Sequence, residues 1–287
     1  MFLVPALLVA YLLAPITDHG SAWPLLLGGA VFALVGLADD LRDLSAALRL
    51  FLQVAGSAGL VAAVSMSGVG NAIELPWLIA FCLSTFGLVA VINAVNFMDG
   101  INGITSVTAA ITLGLYALLA ENLLGFTTTT FALAGLAVSA IVFLPFNFPN
   151  AQAFLGDSGS YLFGATIGIG ALVLVRLDVS LLTLISPLLF YSADTFTTLI
   201  RRTLKGEIPW APHRSHVYQR LTNELDLGHA RVTLFVGFLS LISVSFALWF
   251  ERGSTISPLV VGSAYALLIV AYLLSPSFVS VVKTSDR

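Results

Sequence analysis

The chain has 287 residues, of which 58% are hydrophobic and only 9% charged, with 12 basic and 15 acidic side chains and a net charge of −3. Soluble domains carry about 25% charged residues, and mean hydropathy here is +1.00, so a soluble enzyme, a disordered chain and a nucleic-acid binder are excluded. The composition predicts an all-α polytopic integral membrane protein.

A bilayer-spanning helix needs roughly 17–25 predominantly apolar residues. In chain order such runs, with approximate edges, give about ten spans: 2–16, 23–38, 50–66, 75–94, 104–120, 131–146, 161–175, 181–200, 232–250 and 257–274. The first has no basic residue ahead of it and no small-residue cleavage site behind it, which argues against a signal peptide. The stretch 201–231 is the only long polar loop. No composition shift marks a second domain, so 1–287 reads as a single transmembrane domain. Cys82, the lone cysteine, cannot form an internal disulfide and is expected to be a small buried hydrophobe.

Ten spans alternate the connections between two sides. Arg42, Arg49, Arg201, Arg202, Lys205, Arg214, Arg220, Arg231, Lys283 and Arg287 fall on the side of the termini; only Arg176 and Arg252 fall opposite. Cytoplasmic loops are enriched in Lys and Arg, so both termini and the 201–231 loop are expected in the cytoplasm.

Four polar clusters interrupt the apolar background, all on that side. They are Asp39-Asp40; the segment Asn93 to Gly103, with Asn96, Asp99 and Asn102; the segment Asn147 to Ser160, with Phe154 and Asp157; and Pro212 to Arg220, with His213, Arg214 and His216. Each alone could be interface solvation, turn chemistry or a helix cap. Their convergence on one face points to a site. Carboxylates and carboxamides without a His/Cys ligand set suit a hard cation such as Mg²⁺, which usually bridges protein carboxylates and substrate phosphates. The 201–231 loop has six basic and three acidic residues besides His213, His216 and His229, and its arginines suit diphosphate oxygens. The pattern predicts phosphoryl chemistry at the membrane surface, between a water-soluble phosphate compound and a lipid.

In order and spacing the clusters resemble the polyprenyl-phosphate N-acetylhexosamine-1-phosphate transferases, glycosyltransferase family 4. That family's paired aspartates look like Asp39-Asp40, its Asn-x-x-Asn-x-x-Asp-Gly-x-Asn/Asp-Gly segment like Asn93 to Gly103, and its Phe-x-Gly-Asp-x-Gly-Ser segment like Phe154 to Ser160. The last loop, His213 to Arg220, is most similar to the branch that starts O-antigen chains with deoxy-sugars such as FucNAc or QuiNAc. Tyr218-Gln219 stands where the GlcNAc- and muramoyl-specific branches carry histidines. Family members generally have eleven spans, so this chain is expected to begin inside the second.

The resemblance implies transfer of an N-acetylhexosamine-1-phosphate from a UDP-sugar to undecaprenyl phosphate, releasing UMP, as the first step of a cell-envelope glycan such as lipopolysaccharide O-antigen. It implies a multi-pass protein of the bacterial cytoplasmic membrane, with its site facing the cytoplasm and a possible homodimer. Asp157 and Asn96 would hold Mg²⁺ (or Mn²⁺) on the diphosphate, with Asn147 close by, and Asn93 would belong to the substrate-binding residues. Asp39 or Asp40 would orient or deprotonate the lipid phosphate, and Asp157 as a covalent nucleophile remains the alternative. Asp99 and Asn102 would contact the nucleotide, Phe154 would stack on uracil, and His213, Arg214 and His216 would close over phosphates and sugar. Asp194, inside the span 181–200, is a functional candidate by position, but a structural contact with Arg201 or Thr198 is favoured. A transporter and an inactive scaffold homologue are the competing readings.

Overall fold

A computed structural model describes residues 22–66, 75–208, 214–251 and 257–285, without the side chains of 279 and 281–285. The first expected span, 2–16, lies outside the described residues, as does His213. All regular structure among the described residues is helical. The long helices are α1 (Trp23–Arg42), α2 (Ala46–Met66), α3 (Trp77–Met98), α4 (Ile104–Leu124), α5 (Thr128–Asn147) and α6 (Gly156–Val175). They are followed by α7 (Leu181–Ile185), α8 (Leu189–Leu204), α9 (Val217–Gln219), α10 (His229–Glu251) and α11 (Pro258–Ser285).

Eight of these, α1 to α6 with α10 and α11, are long and apolar enough to cross a membrane. The expected span 181–200 is not one helix. A 3₁₀ turn at Ser186–Leu188 separates α7 from α8, and Pro187 within it has no N–H to continue an α-helical ladder. Most helices also run past their apolar stretches. α3 continues to Met98, α6 starts at Gly156, and α8 takes in the first residues of the expected 201–231 loop. Helical hydrogen bonding is internal to the backbone, so it does not stop where hydropathy drops.

Cys82 is exposed on α3 beside other exposed apolar side chains, Ile79, Leu83 and Phe86, which corrects the expectation that it is buried. Lipid is as apolar as leucine, so nothing drives a small hydrophobe inward.

α6 is the most enclosed of the long helices among the described residues, buried against α1, α3 and α4. Small residues permit this. A Cβ at Gly36 of α1 would overlap the backbone of Asp157 and Ser158, and one at Gly164 would meet the Ile92 backbone. Close backbone approach at small residues is how helices pack in lipid. Gly36→Ala is therefore expected to push α1 from the first turn of α6, at a cost of about 2–3 kcal/mol. A lowered thermal inactivation midpoint, absent in a Gly59→Ala control where a Cβ meets open space, checks this.

Because successive helices alternate in direction, the ends of α1, α3 and α5 and the starts of α2, α4, α6 and α10 meet at one end of the bundle. Polar contacts tie them there, from Asp40 to Asp157, Asn96 to Asp157, and Gly103 to Asn147.

Candidate active site

The site is built around the first turn of α6. Gly156 has φ of +65°, a left-handed conformation that suits glycine, and it brings the chain sharply into the helix. The N–H groups of Asp157 and Ser158 then donate to the two carboxylate oxygens of Asp40, each at 3.0 Å. Asp40 thus caps α6 from a different helix, satisfying donors that a helix start leaves unpaired and matching its dipole. Its neighbour Asp39 is 5% exposed and accepts from the Leu44 N–H and from Arg49 Nη1, both at 2.9 Å. Arg49 also lies 3.9 Å from Asp157 Oδ2. The paired aspartates therefore divide: Asp40 positions Asp157, and Asp39 holds a guanidinium between itself and Asp157.

Asn96 of α3 donates its side-chain N–H groups to Asp157 Oδ1 at 2.7 Å and to Ser160 Oγ at 3.0 Å. This leaves Asn96 Oδ1 without a hydrogen-bond partner among the described residues. Asn96, Asp99, Asn102, Asn147, Phe154 and Asp157, all singled out from the sequence, line one cavity of about 260 Å³ together with His229. Asn147 shapes its wall: Oδ1 accepts from the Gly103 N–H at 2.6 Å and Nδ2 donates to the Ala153 carbonyl at 2.8 Å. Phe154 is 78% exposed, free to stack on a ligand. Asn93 lies outside the cavity lining; it donates to Gln53 Oε1 at 2.6 Å and so ties α3 to α2.

No group of three His, Cys, Asp or Glu side chains among the described residues comes together to form a metal cage. The pair of Asp157 and Asn96 offers a carboxylate and a carboxamide oxygen. Such a pair suits a hard cation that keeps waters and takes further ligands from substrate phosphates.

Asp99 caps the end of α3. Burial pushes its carboxyl up to about 7, and the negative charge of Asp157 adds to the shift. Its ordinary value is 3.8, so between these pH values the folded chain holds a proton that the unfolded chain has released. Stability should then fall as pH rises from about 4 to 7. Asp99→Asn should flatten that part of the profile, read as the inactivation midpoint against pH.

Behind the cavity, Asp194 of α8 is fully buried. It accepts from the Thr198 hydroxyl at 3.2 Å, His216 Nδ1 at 3.1 Å, the Val217 N–H at 3.0 Å, the Tyr218 N–H at 3.3 Å and the Tyr272 hydroxyl at 2.8 Å. The expected Thr198 contact is present. Arg201 is exposed and forms no ion pair with Asp194. Tyr218 carries this knot to the site, its hydroxyl donating to the Phe97 carbonyl at 3.1 Å beside Gly100. His216, expected over the phosphates, is instead 3% exposed and turned toward Asp194. Arg214 is exposed at the start of the described loop and does not line the cavity.

Sequence reading missed two residues here. Arg49 counted only as a marker of sidedness, and His229 only as loop charge. Neither stands in a recognisable motif; Arg49 gains meaning from Asp39, ten residues earlier, and His229 from Asn102, 127 residues earlier.

Comparison with known proteins gives the family. The profile of "Glycosyl transferase family 4" matches residues 22–175, more than half of the chain. A decaprenyl-phosphate N-acetylglucosaminephosphotransferase of Mycolicibacterium smegmatis is 29% identical over 282 residues, covering 86% of this chain and 68% of that protein. A probable undecaprenyl-phosphate N-acetylglucosaminyl 1-phosphate transferase of Bacillus subtilis is 28% identical, covering 75% and 63%. A phospho-N-acetylmuramoyl-pentapeptide-transferase of Bacillus pumilus is 36% identical over 118 residues, covering 41% and 36%. The chain thus spans about two thirds, or less, of the curated relatives it matches. With the matched region running from α1 through α6, and so across the aspartate pair, the cavity and Asp157, the chain belongs to glycosyl transferase family 4.

Proposed function

We propose that this protein transfers a hexosamine-1-phosphate from a UDP-sugar to a polyprenyl phosphate, releasing UMP. The observation that carries this reading is the cavity itself. Asp157, which lies 3.9 Å from Arg49, lines it together with Asn96, Asn102, His229 and the exposed ring of Phe154. A guanidinium beside hard oxygen donors fits a diphosphate, and the aromatic ring fits a base. Toward the far end of α3 an apolar groove of about 370 Å³, open at the exposed Leu83 and Leu181, also takes in Val91, Tyr116, Ile167 and Leu188. It offers isoprenoid carbons an apolar place.

The chain's own groups have distinct tasks. Asp40 holds the first turn of α6 so that Asp157 faces the cavity. Asp39 keeps Arg49 extended toward the incoming lipid phosphate, whose oxygen would attack the donor's β-phosphorus in line. Asp157 and Asn96 would hold Mg²⁺, which when bound neutralises diphosphate charge. One phosphoanhydride is broken and one is made, so catalysis rests on positioning and charge neutralisation. An aspartyl-phosphate on Asp157 remains the second route. By the Lys/Arg asymmetry the site faces the cytoplasm of a bacterial inner membrane. The His213 to Arg220 loop favours a FucNAc or QuiNAc donor and an O-antigen product.

UMP release by the purified chain with undecaprenyl phosphate, Mg²⁺ and a panel of UDP-GlcNAc, UDP-FucNAc, UDP-QuiNAc and UDP-MurNAc-pentapeptide tests this. Lipid-dependent release with one donor is expected. Silence with every donor, in a preparation that transports no sugar either, would favour a scaffold.

A further inference from the structure

The end of α3 and its link to α4 bring Asn96, Asp99 and Asn102 to the cavity, and this stretch is held from behind at two separate places. At its far half the Asn102 N–H donates to His229 Nδ1 at 3.2 Å, which is therefore the unprotonated ring nitrogen, and the Asn102 carbonyl accepts from the Thr233 hydroxyl at 2.8 Å. The Gly103 N–H donates to Asn147 at 2.6 Å. At its near half the hold comes from Tyr218. The Tyr218 hydroxyl donates to the Phe97 carbonyl at 3.1 Å, one of the last carbonyls of α3, which a helix leaves without an internal partner. The same oxygen sits against Gly100, where a Cβ would overlap it. Gly100 is not among the positive-φ glycines, so what matters there is the close approach, not the backbone conformation.

Tyr218 is fully buried and does not line the cavity. Its own position is fixed from α8: its N–H and that of Val217 donate to Asp194 at 3.3 Å and 3.0 Å. Its ring stacks on His216 with centroids 5.7 Å apart. We propose that Tyr218 is a positioning residue for the transfer, its hydroxyl fixing the end of α3 and with it Asn96, which meets Asp157 at 2.7 Å and Ser160 at 3.0 Å. This rests on the reading of the chain as a UDP-sugar transferase. In the sequence this position stands out only as a departure from the histidines of related branches; buried, it acts through α3 and touches neither phosphate nor sugar. Because the two halves are held separately, loss of the hydroxyl should loosen Asn96 and leave the Asn102 end in place. Turnover should then suffer more than donor binding. A misplacement of about 1 Å in a positioned group can cost a hundredfold, and a smaller shift from one lost hydrogen bond should cost about tenfold.

The test is lipid-dependent UMP release by the full chain, measured against the concentration of whichever UDP-sugar of the panel the wild type turns over. The kcat is normalised to the amount of UMP-binding protein found by calorimetry, so that misfolded molecules do not count. Tyr218→Phe keeps the ring and removes only the oxygen; it should lower normalised kcat about tenfold and leave the donor KM within threefold. Gly100→Ala crowds the same oxygen from the other side and should also lower kcat. It should cost less in the Tyr218→Phe background than in the wild type, because the oxygen it meets is gone. A merely structural role would lower the thermal midpoint and leave normalised kcat unmoved. Normalised kcat within twofold of wild type in Tyr218→Phe, or additive effects of the two substitutions, overturns the proposal and leaves the transferase reading intact. Should Tyr218→Phe yield no folded protein, Gly100→Ala decides alone, and an unchanged kcat there overturns the proposal. No UMP release from the wild type with any donor overturns both.

Discussion

Asp157→Asn is expected to lower UMP release on the order of 10³-fold while the protein still inserts and purifies normally. The substitution keeps volume and keeps most of the local structure. The new carboxamide oxygen can still accept from Asn96, and the backbone N–H at 157 still donates to Asp40. Only the negative charge is lost, the charge that faces Arg49 at 3.9 Å and would hold a cation on the diphosphate. Removing one preorganised electrostatic group from a phosphoryl- or acyl-transfer site typically costs 10²–10³-fold, and here the charge balance with Arg49 would be lost together with the proposed cation contact. Lipid-dependent UMP release, compared at equal amounts of monodisperse protein, is the measurement. Turnover within tenfold of wild type would remove Asp157 from the chemistry.

The second large effect is on stability. Asp194→Leu removes the acceptor for the five donors from Thr198, His216, Val217, Tyr218 and Tyr272. Leaving a buried donor unpaired costs about 1–3 kcal/mol, and partial rearrangement of the donors leaves an expected net loss of about 3–5 kcal/mol. For a protein of this size that corresponds to roughly 10 °C in the thermal midpoint. The three-residue helix α9 is hit hardest, because Asp194 serves its first N–H groups from another helix. Release of α9 also frees Tyr218 from Phe97 and Gly100, so activity should fall with stability. Limited proteolysis should cut the variant in the connection between α8 and α9 faster than wild type. An unshifted midpoint with unchanged cleavage would show that the knot contributes nothing. Asp194→Asn should fall between the two, since a carboxamide accepts from some donors and opposes others.

The sequence alone determined the environment, the helical class and much of the cavity lining, but it missed His229 and singled out Asn93, Arg214 and His216, which do not line it. Hydropathy forces long apolar runs into helices because lipid cannot satisfy a backbone N–H or carbonyl, and that constraint is local enough to read residue by residue. Asn96, Asp99, Asn102, Asn147, Phe154 and Asp157 were legible because polar residues clustered in an apolar chain stand out, and helix alternation brings their ends together. Only the tertiary structure decided what each polar group faces. Asp39 and Asp40 are neighbours of the same type, yet one holds Arg49 and the other caps a helix 117 residues on. His216 sat in a motif that promised phosphate contact but is buried against Asp194. His229 sat in no motif but lines the cavity, its tautomer fixed by Asn102. Cys82 depended likewise on neighbours, since it lies among exposed apolar side chains of α3, whereas the break at Pro187 follows from the missing N–H of a residue visible in the sequence. The direction of a hydrogen bond between residues far apart in the chain depends on the relative placement of helices, and periodicity or composition carries no record of it.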